Sequence, residues 1–298
     1  MAKLVTHWIN KGAAYYCVRQ WVGASESIGV IHILHGMMEH SGMYHNWANK
    51  LCELGWDVVC HDQPSAGYTI HPDCDRDHLP RNGVEILIES TRVIDEWIRE
   101  EYPQKKCIRY GHSMGAFLAL NLEQKKVSSD GLILTGATTE PSFLLHIHRP
   151  FLKLMGAIFG QKSFARLAHA ISITPLNKSF KPNASPHDWV TRMPALLNQY
   201  ITDPLCGNMA TWGFYFSLNN LILEMNQSAV PLPHTLFITG EMDALSNGGK
   251  KLDGFIKRLK GVATSVSHIV VPGARHKVEC DQESTMILEE IKTFMDQL

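Results

Sequence analysis

Apolar and polar positions along this chain change their period several times, and each change marks an element. LVTHWIN (4–10) and AAYYCVRQWV (13–22) flank Lys11-Gly12 and predict a β-hairpin. SIGVIHILHG (27–36) is almost continuously apolar and rich in Ile and Val, the pattern of a strand covered on both faces. Tyr44, Trp47, Ala48, Leu51 and Leu54 then recur at helical spacing, and Gly55 suits the left-handed end of that helix. WDVVCHD (56–62) predicts a strand, and residues 63–80, rich in Pro, Ser, Gly, Asp and His, a loop. A long amphipathic helix follows, with Val84, Leu87, Ile88, Val93, Ile94, Trp97 and Ile98 on its apolar side, stopping near Tyr102-Pro103.

CIRYGH (107–112) predicts a strand, 114–126 a helix and DGLILTG (130–136) another strand. From about 138 to 230 the alternation gives way to helices and loops, with prolines at 141, 150, 175, 182, 186, 194 and 204. It returns with HTLFITG (234–240), a helix around 248–260, SVSHIVVP (265–272) and a last helix at 280–297 that buries Ile287, Leu288, Ile291, Phe294 and Met295. Strand–helix alternation implies an α/β fold, a mostly parallel central sheet with helices on both faces. The expected division is a core of 1–137 and 231–298, with 138–230 inserted as a helical cap over the C-terminal sheet edge, where such sheets bind ligands.

The 298 residues and 45% hydrophobic content suffice for a large core. The net charge of -1 and the lack of any long basic run argue against nucleic-acid binding, which needs a concentrated basic face. Seven cysteines, Cys17, Cys52, Cys60, Cys74, Cys107, Cys206 and Cys280, are widely spaced without a C-x-x-C pair. Neither a zinc ribbon nor a thioredoxin-type site is indicated, and most of these thiols sit in apolar stretches as small hydrophobes. The start, MAKLVTHWINKG, lacks a secretory h-region, and no run of about 18 apolar residues predicts a membrane span. A cytoplasmic protein, at most peripheral to a membrane, is the expectation. Nothing in the chain fixes an oligomeric state.

RYGHSMGAF (109–117) sets Ser113 between Gly111 and Gly115 at a strand-to-helix turn. G-x-S-x-G in that context is a nucleophile elbow: the glycines admit a tight turn, and strain aims the hydroxyl into a cleft. The first turn of the next helix offers free N–H groups and a positive dipole end to a developing oxyanion. A serine hydroxyl is a weak nucleophile at neutral pH and needs a base, oriented in turn by a carboxylate. At such elbows the partners follow in the order Ser, Asp or Glu, His. LFITGEMDALSNG places Asp243 beyond a strand; Glu241 is its neighbour but lies nearer the strand end. Sixteen histidines are present, so one alone says little, but His276 in IVVPGARHKVEC lies after the final strand and before the last helix. Met114 N–H and, from the strand exit His35-Gly36, Met37 N–H are the expected oxyanion donors.

With these residues in place, the chain resembles the α/β-hydrolase superfamily, and within it the monoacylglycerol lipase, lysophospholipase and serine-aminopeptidase-like group. HGMMEHSGMY (35–44), GWDVVCHDQPSAGYT (55–69), YGHSMGA (110–116) and the pair TGEMDAL and PGARHKVE carry the likeness; ITDPLCG (201–207) resembles the cap-to-core return. Two positions depart from the pattern. Met38 stands where family members usually have a small residue, and can narrow the oxyanion loop or line the acyl pocket. The usual D-x-x-G-H-G-x-S turn is here Asp62-Gln63-Pro64-Ser65-Ala66-Gly67-Tyr68-Thr69, a mostly structural feature of the family. The resemblance implies ester hydrolysis through an acyl-enzyme, with Ser113 attacking, His276 moving the proton and Asp243 fixing the imidazole tautomer. It implies no metal and no organic cofactor. An aspartate at the elbow would have indicated a dehalogenase or an epoxide hydrolase.

PSFLLHIHRPFLKLMGAIFG (141–160) and TWGFYFSLNNLILEM (211–225) carry many large apolar residues. Phe143, Phe151, Met155, Trp212 and Phe214, with Met38, are the candidates for the substrate pocket. Residues of these stretches can equally touch a membrane surface transiently or pack cap against core. Arg149, Lys153, Lys162 and Arg166 read as scattered charges, and His146 and His148, diverging at helical spacing, as non-ligands. A small-molecule ester or lipid is the expected partner, of the monoacylglycerol or lysophospholipid type. A short-chain esterase, an amidase or a peptidase on the same triad is the alternative. A silent hydrolase fold used for binding is a further one, disfavoured by the complete Ser/Asp/His set.

Overall fold

A hairpin opens the chain, β1 (Lys3–Lys11) and β2 (Ala14–Val22), turning at Gly12 with φ 62°. In the computed structural model, which describes residues 1–227, 230–282 and 284–298, alternation then runs as the apolar periods require. The order is β3 (Gly29–Leu34), α1 (His45–Glu53), β4 (Trp56–His61), α2 (Gly83–Glu101), β5 (Lys106–His112), α3 (Met114–Gln124) and β6 (Gly131–Thr135). Four helices follow, α4 (Ser142–Phe159), α5 (Arg166–Ser172), α6 (Pro194–Thr202) and α7 (Trp212–Asn226). β7 (His234–Gly240), α8 (Asp253–Leu259), β8 (Val266–Val271) and α9 (Ser284–Met295) complete the chain.

The strands form one sheet in the order β1-β2-β4-β3-β5-β6-β7-β8. Only β1–β2 and β2–β4 pair antiparallel; every later pair is parallel. The continuous apolar runs are buried on both faces, as β3 and β4 are throughout. Trp47 and Leu51 of α1 and Ile287 and Ile291 of α9 cover one face. Leu87 of α2, Phe117 and Leu120 of α3 and Phe255 of α8 cover the other.

Some local expectations need correction. The first helix, read from Tyr44, is preceded by a separate 3-10 turn at Ser41–Tyr44. The last helix, expected from 280, begins at Ser284 after a 3-10 turn at Val278–Cys280; position 283 lies outside the described residues, as do positions 228 and 229 at the expected cap boundary. The helices between β6 and β7 are not loosely attached. Asn121 Nδ2 of α3 donates to Leu221 O of α7 at 2.9 Å, and Ser217 Oγ donates to Pro80 O at 2.7 Å.

Charges are also built into the core. Arg109 of β5 donates to Asp95 Oδ2 of α2 and to Glu123 Oε1 of α3, both at 2.7 Å, and Asp95 Oδ1 lies 2.7 Å from His32 Nδ1 of β3. Burial pushes the Asp95 carboxyl up, but Arg109 and His32 outweigh it and hold the group well below the usual carboxylate range. Its contribution to stability is therefore present above the unfolded value, about pH 4, and is lost as pH falls through the folded one. Arg109→Met, which takes the shared cation from two buried carboxylates, is expected to cost about 3–5 kcal/mol at neutral pH and to flatten the acid loss of stability. Urea titrations at several pH values check both; a variant as stable as wild type would contradict the assignment.

Candidate active site

The turn between β5 and α3 holds Ser113 at φ 52°, ψ -115°. Non-glycine residues enter such a region at a cost of about 1–3 kcal/mol, and only where the surroundings force them. Those surroundings are visible. Ser113 N–H donates to Thr135 O at 2.8 Å, tying the turn to the end of β6. A Cβ on Gly115 would stand 1.9 Å from Leu34 O, and one on Gly111 would stand 2.5 Å from Gly115 O. Both glycines are thus required by close backbone approach, which seats α3 directly against β3.

That seating brings Met114 N–H, at the first helical position and without an acceptor among the described residues, beside the strand exit of β3. Gly36 of that exit lies so close that a Cβ there would be 3.4 Å from Ser113 Cβ. Gly36 N–H is taken by Glu39 Oε1 at 2.6 Å, whereas Met37 N–H has no acceptor among the described residues. Met38 sits at φ 60°, an angle at which a side chain costs about 1 kcal/mol. Its carbonyl accepts Gly207 N–H at 2.9 Å, so the 201–207 segment braces the turn. His40 Nε2 and Asp203 Oδ2, 3.0 Å apart, brace it again.

Asp243 and His276, remote in sequence, meet: Nδ1 of the imidazole is 3.2 Å from Oδ1 of the carboxylate. Asp243 also accepts Leu245 N–H and Ser246 O–H, each at 2.9 Å. Burial opposes its charge, but His276 and these donors prevail and hold the carboxyl below its ordinary range. Glu241 instead points outward and accepts Gly273 N–H at 2.9 Å. The His276 ring lies between Trp189 and His112, each with centroids 5.0 Å away. Ser113 Oγ makes no hydrogen bond among the described residues, so the serine–imidazole contact is not closed in this structure. Burial and the nearby Lys277 ammonium keep His112 well below the usual histidine value, hence neutral.

Ser113 and His276 share the wall of one cavity of about 530 Å³ with Met37, Met114, Phe117 and Leu152. Of the expected pocket residues, Met38 and Phe151 line it. The other four do not. Phe143 is 64% exposed on the outer face of α4, Met155 packs on the core beneath, Phe214 is buried in that core, and Trp212 stacks on Phe159 and meets Phe151 edge-on. The remaining wall includes Leu145, Leu152 and Tyr215 of the two apolar stretches, together with Trp189 and Leu245, which periodicity did not single out. His148 faces this cavity while His146 lines a second one, so the two rings do diverge.

Among the described residues, one set of donors has metal-like spacing: ligand atoms of His40, Asp203 and Cys206 lie within 4.8 Å of one another. His40 Nδ1 accepts Gly42 N–H at 3.2 Å, which leaves the ring proton on Nε2, facing Asp203. Burial pushes the Cys206 thiol up, away from the thiolate. A hydrogen-bonded His–Asp pair fits these donors better than a cation does.

With this geometry the comparison with known proteins is direct. A model of the serine aminopeptidase S33 family matches residues 25–283. The chain belongs to the S33 serine aminopeptidase family. It is therefore an α/β hydrolase, of a family for which small-molecule esters are the implied substrates. A monoacylglycerol lipase of Mycolicibacterium smegmatis is 24% identical over 281 residues, 92% of this chain and 90% of the relative. An uncharacterized abhydrolase domain-containing protein of Dictyostelium discoideum is 24% identical over 215 residues; the match takes in 72% of this chain but only 20% of that longer protein. A thermostable carboxyl esterase from Bacillus coagulans, solved with glycerol, shares the fold with a TM-score of 0.86 at 19% identity, over 100% of this chain and 99% of its own. No helix among the described residues is long and apolar enough to cross a membrane.

If close approach at the elbow sets the site, Gly115→Ala lowers stability by about 3 kcal/mol and removes hydrolase activity. Gly254→Ala, in α8 where an added Cβ meets nothing within 4 Å, raises stability by about 0.5–1 kcal/mol. Denaturation midpoints of the two variants check the contrast.

Proposed function

We propose that this S33-family protein is a serine hydrolase of single-chain lipid esters, of the monoacylglycerol or lysophospholipid type. The single observation behind this reading is the shared cavity. Ser113, on a strained turn, and His276, paired with buried Asp243, open into one largely apolar space. About 530 Å³ lies within the usual range for a small-ligand pocket, about 300–1,000 Å³.

In the proposed cycle an ester carbonyl enters between Ser113 Oγ and the amides of Met37 and Met114. Substrate binding draws the hydroxyl to the imidazole, a contact commonly loose in unliganded sites. His276 takes the serine proton as Oγ attacks, and the two amides stabilise the oxyanion. The imidazolium, stabilised by Asp243, returns the proton to the leaving alcohol. Water, deprotonated by the same imidazole, then releases the fatty acid and regenerates Ser113. Residues 138–230 act as the cap of the site, carrying Leu145, Phe151, Leu152 and Trp189 into the cavity wall.

A lipid substrate also suits the outer face of that cap. Phe143, Ile147, Leu154 and Ile158 of α4, spaced four, seven and four residues apart and so on one helical face, are each more than half exposed, an apolar stripe suited to transient contact with a membrane surface. Arg149 and Lys153 are less scattered than their spacing suggests, because with Arg81 and His146 they line the second cavity beside the stripe.

Two measurements test the reading. Ser113→Ala is expected to lower kcat/KM by about 10⁴-fold or more with unchanged thermal stability; activity near wild type would refute it. Across a chromogenic ester series, kcat/KM is expected to rise from short to long acyl chains. A sharp optimum at short chains would favour a small-ester esterase, and preferential cleavage of amides an amidase or peptidase.

A further inference from the structure

We propose that Glu39 and Lys277 form a buried positioning pair that holds the turn offering the Met37 amide in register with the loop carrying His276. The proposal rests on the catalytic reading above. Lys277 follows the proposed base directly, yet its side chain turns into the core rather than to solvent, where a lysine ordinarily lies. Its Nζ donates to Glu39 Oε2 at 2.6 Å, lies 3.3 Å from Glu279 Oε1 and sits 4.0 Å from the Tyr44 ring centre. Side-chain exposure is 1% for Lys277 and 3% for Glu39.

Burying two ions is costly, and an apolar pair of the same volume is often as stable. Stability alone therefore does not account for the arrangement. What an ion pair adds is a fixed register between the segments it joins, and these two segments are the ones whose relative position the proposed chemistry needs.

The connections are specific. Glu39 Oε1 accepts Gly36 N–H and Tyr44 O–H, each at 2.6 Å, so one carboxylate shapes the turn. Its other oxygen reaches across to Lys277. Lys277 is anchored at its main chain too, where its N–H donates to Val190 O at 2.8 Å. The His276 loop is thereby held from two sides, by the inserted segment through its backbone and by the oxyanion turn through a charge. Burial opposes the ammonium, but Glu39 and Glu279 outweigh it and hold Lys277 above its ordinary value. Burial likewise opposes the Glu39 carboxylate, but the cation beside it prevails, so both partners are charged throughout the working range. Each acts through the loop it holds; both are positioning residues.

Glu39→Gln is the discriminating variant. Its amide oxygen still accepts from Gly36 and Tyr44, and Lys277 keeps Glu279, but the amide nitrogen, a donor, replaces the oxygen that faced Nζ, so the ion pair is lost while the turn keeps its acceptor. For a soluble ester, kcat is expected to fall at least about tenfold with KM within about twofold, the pattern of lost transition-state alignment. A merely structural role would lower the melting temperature and leave kcat of the folded enzyme unchanged. With Lys277→Met and the double variant, the losses are expected to be non-additive, the double being no worse than the poorer single. A Glu39→Gln kcat within about twofold of wild type, or losses that multiply independently, would overturn the proposal. If Lys277→Met does not fold, Glu39→Gln alone decides. Ser113→Ala, which leaves the pair intact, reports separately on the catalytic reading.

Discussion

The contact between the start of α3 and the end of β3 governs the rest of the site. With Gly115 backed onto the Leu34 carbonyl, the helix lies close against the strand, and Ser113, two positions earlier, sits at positive φ. The strain stays local because the sheet meets it with ordinary hydrogen bonds, such as Ser113 N–H to Thr135 O. The same approach sets the free amides at the start of α3 beside the Gly36–Met37 turn. A geometry that needs donors from two remote segments thus follows from one steric constraint on the backbone.

Around that constraint, buried charge specifies positions that apolar packing would leave free. Asp243 orients an imidazole, Glu39 shapes a turn, and Asp95 with Glu123 fixes Arg109 among β5, α2 and α3. Each carboxylate lies in surroundings that disfavour its charge, and each is matched by donors. Losing one partner therefore costs more than the net value of the pair, because an unmatched charge is left behind. Such networks confine the chain to one arrangement at the sheet's C-terminal edge, and the apolar cavity then needs only to exclude water and hold the substrate.

Most of the fold was legible in the sequence because its signals are local. Continuous Ile/Val runs, helical spacing and glycine ends located the strands and helices to within a few residues, and G-x-S-x-G was readable because its meaning depends only on the strand before it and the helix after it. The pocket was less legible. Trp212 and Phe214 lie on a helix that is apolar almost all round, so periodicity does not say which side chains meet the cavity and which the core. Trp189 lies in a loop without a period, and its place beside His276 comes from tertiary folding alone. Glu39 and Lys277 were both in quoted motifs, but a pairing across 238 positions leaves no mark at either end.

The central claim is that Ser113 is the residue the chain activates. The most direct test is to treat the folded protein with a fluorophosphonate and map the adduct by mass spectrometry, in wild type and in His276→Ala. The account predicts a single stoichiometric adduct on Ser113 that forms far more slowly when His276 is replaced. An adduct on another residue, or none on a protein that still hydrolyses esters, would contradict it.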